Sequence, residues 1–188
     1  MPRYAFTLLT LVCGIVGLAA GPSPAIAQQA LVIKPLVQKK VADLPPGPLF
    51  WRVENFPDRA QAVAAESTWS LVAESAGRIW LFTLGAPDGN TPGGTKVAEL
   101  GPIPRFVAPQ YLLRINEASG PPGSTTAVHS HPGSEAFLVI SGEQSIRGPN
   151  GVMRVAAGQA AAGQEGGIPM QVTSSGKTDL HALVMFVV

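Results

Sequence analysis

The residues best suited to chemistry sit together between Gly123 and Glu135, where the chain reads GSTTAVHSHPGSE. His129 and His131 are two apart, and on a strand side chains two apart share a face. Both imidazoles would then project into whatever that face encloses. Pro132 and Gly133 make a turn, so Glu135, opening the next β run, can return a carboxylate beside them. Two His and one carboxylate, with positions left open, suit Zn, Mn or non-haem Fe(II). The plainer alternative is a pair of solvated loop histidines with Glu135 capping a turn.

Other candidates are weaker. His181 lies in the apolar run Leu180 to Val188, where a single His is more often a satisfied core or edge residue than a ligand. Trp51, Trp69, Trp80 and Phe82 read as core aromatics, and Met153, Met170 and Met185 as packing residues. No nucleophile elbow, phosphate-binding loop or dinucleotide fingerprint is present. The formal charge is +1. Lys and Arg are scattered, so there is no footprint for nucleic acid.

The elements that must position these residues are short strands. Charged residues are only 13% of the 188, against 21 Gly and 18 Pro, which points to a loop-rich β protein. Leu49 to Val53 reads as a strand. Asp58 to Glu66 reads as a short helix, with Asp58 as its cap and alanines favouring it. Ser70 to Glu74 and Arg78 to Leu84 form a hairpin around Ser75-Ala76-Gly77. Ala86 to Thr95 is a Gly/Pro/Asn/Asp loop. Further strands are expected at Tyr111 to Asn116, Ala136 to Ile140, Glu143 to Arg147, Val152 to Val155, Met170 to Ser174 and Leu180 to Val188. Strands at this spacing make a sandwich or barrel.

The spacing Gly123, His129, His131, Glu135, Gly142 resembles the first signature motif of the cupin superfamily, with every fixed position filled. The resemblance covers roughly Ile103 to Val188. It implies an all-β jelly-roll barrel whose interior holds a small-molecule ligand or a divalent metal (Mn, Fe, Zn or Ni). The second cupin motif is present in spacing but altered in chemistry. Gly158 and Gly166 fill its glycine positions, while Gln164 stands in place of Pro and Thr173 in place of Asn. Pro169 stands where the resemblance implies a fourth ligand, a His, and offers neither a donor side chain nor an N–H. The metal candidates are therefore His129, His131 and Glu135, with Gln164 and Gln171 as weak amide ligands or plain polar lining.

Residues 1–27 have the order of a secretory signal peptide: Arg3, an apolar core from Ala5 to Ala20, helix-breaking Pro22 and Pro24, then Ala25-Ile26-Ala27. The chain from Tyr4 to Ile33 carries no charge. Cleavage after Ala27 would remove Cys13, the one cysteine, and leave no thiol. The membrane would then be met only through this segment, and the protein would be periplasmic or secreted. Residues 28–48 read as a Pro-rich entry segment, 49–102 as a β-rich extension with one helix and a hairpin, and 103–188 as the barrel. Three functions fit: a metal-dependent oxygenase or isomerase, a non-catalytic small-molecule binder, or a structural envelope protein. Homodimers are the expected assembly.

Overall fold

The computed structural model describes Met1 and residues 29–161 and 165–188. The expected cleavage segment and Gln164 lie outside the described residues. In chain order the elements are β1 (Val32–Val41), β2 (Phe50–Phe56), α1 (Arg59–Ala64), β3 (Ser70–Ser75), β4 (Arg78–Gly85), β5 (Thr95–Leu100) and β6 (Tyr111–Gly120). They continue with β7 (Ser134–Ser141), β8 (Glu143–Gly148), β9 (Gly151–Ala156), β10 (Ala160–Ala161), β11 (Gln171–Ser174) and β12 (Leu180–Val187). The all-β expectation holds, with one short helix whose cap Asp58 accepts from the Gln61 N–H at 2.9 Å.

Three sheets form, each antiparallel: β1-β6-β12-β7-β10, β11-β8-β9, and β3-β4-β2-β5. The five-stranded sheet is the middle layer, and strand parity divides its side chains. Leu113, Ile115, Ala136, Leu138, Leu183, Met185 and Val187 point outward into one apolar cluster with Trp51, Val53, Trp80 and Phe82 of the N-terminal sheet. Ala118, Phe137, Val139, Ala182 and Val184 point the other way, into a cluster with Ile146, Val155, Met170 and Val172. That second cluster lies between this face and the three-stranded sheet, inside the barrel. A sheet covered on both faces needs apolar residues at both parities, which is why β7 and β12 read as nearly continuous apolar runs.

Residues 28–48, expected to be an entry segment, contain β1. It pairs with β6 from Val32↔Ser119 to Val41↔Tyr111, with a register shift between Pro35 and Val37. The strand was hidden because it lies at a sheet edge, where a proline and several lysines are tolerated and alternation is weak. Lys39 ties it down, its Nζ donating to Glu66 Oε1 at 2.7 Å and to the Ser67 and Ser70 carbonyls. β5 also went unread, inside a polar sequence at the opposite sheet's edge.

The hairpin over Ser75-Ala76-Gly77 is observed, with φ of +52° at Ala76 and +66° at Gly77. Trp51, Trp80 and Phe82 are buried core residues as expected. Trp69 is only partly buried and gives its Nε1–H to the Asp43 carbonyl.

Candidate functional site in the barrel cavity

The barrel holds a cavity of about 640 Å³ that opens to solvent. Its floor is the inner face of the five-stranded sheet, and the register sets the floor out in rows. Arg114, Phe186 and Glu135 stand side by side on β6, β12 and β7; Asn116, Val184 and Phe137 form the next row. Across from them lie Thr125, Thr126, His129 and His131 of the segment before β7, with Gln144 of β8 and Val172 of β11.

His129, His131 and Glu135 all line this cavity, but the two histidines do not project side by side from a strand. Only His129 makes a ladder pair, exchanging both backbone bonds with Met170 at 2.9 and 2.8 Å. The next pair in register, His131 with Ile168, is replaced by a bond from the Gly167 N–H to the His131 carbonyl at 2.7 Å. The ladder thus slips past His129, and His129 is exposed while His131 is half-buried.

His131 and Glu135 do meet, with Nε2 3.1 Å from Oε2 and the ring edge-on to Phe186. Gly133 makes this possible at the start of β7, because a Cβ there would lie 1.9 Å from the Val187 carbonyl oxygen of β12. His131 Nδ1 donates to the Gly133 carbonyl at 2.6 Å. A second proton is therefore needed for Nε2 to donate to the carboxylate. Burial opposes that proton, but the hydrogen bond and charge of Glu135, helped by the Gly133 carbonyl, outweigh it and raise the His131 pKa.

The donor chemistry suits a metal better than the spacing does. Each imidazole donates Nδ1–H to a carbonyl, His129 to Ala127 at 2.9 Å and His131 to Gly133. Such bonds orient Nε2 as the ligating atom. Glu135 Oε1 is buried without a hydrogen-bond partner. Yet no group of three His, Cys, Asp or Glu side chains is gathered at metal-holding distance among the described residues. His131 and Glu135 form half a site, and His129 shares their cavity without joining them.

Gln171 is not among the residues that line the cavity. Met170 and Val172 take the inward parity of this stretch, and Gln171 Nε2 donates to the Thr126 carbonyl at 3.0 Å. His181 faces away from the cavity, at the junction with the N-terminal sheet. Its Nε2 lies 2.9 Å from Ser75 Oγ and 3.1 Å from Glu117 Oε2, and Ser75 Oγ donates to that same oxygen. Because one ring nitrogen serves both partners, this trio is a pin between sheets and not a relay.

Three cavity residues escaped the sequence reading. Gln144 is fully buried, with both amide atoms unpartnered; Asn116, 8% exposed, has an unpartnered Oδ1. Arg114 donates Nε–H to Gln38 Oε1 at 3.1 Å and makes no ion pair among the described residues. The signal for Gln144 was its parity with Ile146, a polar residue on the apolar face of a strand. For Arg114 and Asn116 the signal misled, since their polar face on β6 reads as the solvent side.

The fold is an antiparallel β-barrel, the architecture expected from the Gly123 to Gly142 spacing. Among solved structures, the chain is similar to a conserved protein of unknown function from Streptococcus pyogenes, with 28% identity and a TM-score of 0.36. That match covers 40% of this chain and 63% of the other, so the chain spans less than two thirds of it. A cupin superfamily protein from Desulfitobacterium hafniense matches at 14% identity and TM-score 0.37, over 40% of this chain and 67% of that one. A predicted oxalate decarboxylase from Thermotoga maritima matches at 19% identity and TM-score 0.36, over 42% and 81%. No family model and no curated protein matches the chain.

Proposed function

We propose that the protein is a small-molecule-binding barrel. One observation carries this reading: Gln144, Asn116 and Glu135, which line an otherwise largely apolar cavity, are each buried by nine-tenths or more and each hold an unpartnered polar atom. A buried polar atom without a partner costs about 1–3 kcal/mol. A ligand that supplies the missing hydrogen bonds removes that cost, and the apolar walls exclude water around it. The signal-like order of residues 1–27 supports placing this binding in the periplasm or outside the cell.

Thermal unfolding of chelator-treated protein against a library of small polar molecules tests the reading. A ligand that binds only the native state raises the midpoint in proportion to its concentration over Kd. Binders that stabilise the parent and not Gln144→Leu are expected. A library without any binder overturns the reading.

A second reading is a divalent metal held by His131 and Glu135, with His129 swung in as third ligand. The Nδ1–H bonds to carbonyls and the free Glu135 Oε1 favour it. Such an ion would supply a Lewis acid to the cavity, which is the basis of the oxygenase or isomerase alternative. Elemental analysis of untagged protein, beside His131→Ala, decides it. Stoichiometric metal in the parent and none in the variant supports the site; none in either, after addition of Mn, Fe, Zn or Ni, rejects it.

A further inference from the structure

The charges around the cavity are not balanced. Glu135 already has a counter-group on the protein, His131 at 3.1 Å. Arg114 lines the same cavity with no carboxylate partner among the described residues, and its single hydrogen bond, Nε–H to Gln38, leaves both terminal nitrogens of the guanidinium unused. That fork matches a carboxylate. Gln144, on the facing sheet, offers a donor and an acceptor side by side with neither engaged. Its complement is a group that itself presents an acceptor and a donor, such as a secondary amide or a hydroxyl.

Resting on the binding-barrel reading, we propose that the ligand is a small organic carboxylate bearing a second, uncharged hydrogen-bonding group. Arg114 takes the carboxylate and Gln144 takes the amide or hydroxyl. Asn116, one row beyond Arg114 on β6, accepts a further donor from the molecule. Arg114 and Glu135 flank Phe186 in one row, so the carboxylate site lies two strand spacings, roughly 10 Å, from the backbone of the carboxylate already paired with His131. The aliphatic part of the ligand then lies over Phe186 and Val184.

Calorimetric titration of the chelator-treated protein tests this. The probes are small carboxylates with an amide or hydroxyl, beginning with 4-acetamidobutanoate, each beside its methyl ester, with hexanoate as the acid lacking the second group. We expect the acids to bind at least about tenfold more tightly than their esters, the scale of a charged hydrogen bond. Arg114→Gln should erase that margin by weakening the acids far more than the esters, and Arg114→Lys should keep part of it. Gln144→Leu should weaken acid and ester alike by about tenfold while leaving hexanoate unaffected. Arg114 is only half-buried, so its variants keep the test usable if Gln144→Leu does not fold. Equal binding of acids and esters, or a margin that survives Arg114→Gln, overturns the carboxylate assignment and leaves the binding barrel standing. If no probe of any charge binds, the carboxylate assignment falls and the library screen alone decides the binding barrel.

Discussion

The two faces of the five-stranded sheet are built to opposite rules. On the outer face Leu113, Ile115, Leu138, Leu183 and Met185 meet the N-terminal sheet in an apolar contact with Trp80 and Phe82. On the inner face, side chains from the same strands leave a cavity and hold polar atoms without partners. One sheet thus carries a face optimised for stability and a face that gives stability up. Unsatisfied buried groups in a native structure call for an explanation; one, Trp51 Nε1, lies in the outer cluster, but Gln144, Asn116 and Glu135 line a cavity that a ligand can enter, which makes ligand binding the explanation for those three.

The contrast can be broken most forcefully from the outer side. Phe82 is fully buried, so Phe82→Ala should cost about 3–5 kcal/mol, read as a fall in the denaturant midpoint. A loss under about 1 kcal/mol would mean that the N-terminal sheet does not cement the barrel. From the inner side the sign should reverse. Gln144→Leu replaces two unpartnered polar atoms by an apolar group of similar size. It should stabilise the free protein by about 1–3 kcal/mol while weakening binding. A destabilised Gln144→Leu protein would show that the amide has a partner after all.

A smaller effect should appear at the pin between the layers. Burial opposes ionisation of Glu117, but the hydrogen bond from Ser75 and the charge and hydrogen bond of His181, with Lys34 nearby, outweigh it. Its pKa is therefore lowered. A carboxylate with a lowered folded-state pKa adds stability above its unfolded value, and that stability is lost as pH falls through the folded value. Glu117→Gln should flatten this acid limb in unfolding curves taken from neutral pH downward. An acid limb as steep as the parent's would remove Glu117 from the account. Smallest of all, Arg114→Gln should change stability by less than about 0.5 kcal/mol, since it loses only the bond to Gln38. A larger drop in the unfolding midpoint would give Arg114 a structural role.

How much of this was legible in the sequence follows from the same two faces. The barrel strands and the Gly123 to Gly142 motif could be read because each strand is bounded by Gly or Pro and the motif spacing is local. Leu113 and Ile115 were readable as core, but Arg114 and Asn116, which alternate with them, were not readable as cavity lining. Alternation tells which residues share a face, and not which face meets solvent. That depended on the N-terminal sheet, whose contact with β6 is long-range. The histidine pair failed for a related reason. Two-apart spacing aligns side chains only along a ladder, and the ladder beyond His129 and Met170 slips at His131.

The placement of β1 has a consequence for how the chain is made. A polypeptide emerging from its amino end presents β1 early, yet β1 has no partner until β6 exists, since Val32 pairs with Ser119 and Val41 with Tyr111. During that interval it is an exposed strand able to zip onto another copy of itself. Pro35 and the lysines at 34, 39 and 40 are what such a waiting strand needs: a missing donor and mutual repulsion, which discourage self-pairing until the rightful neighbour arrives.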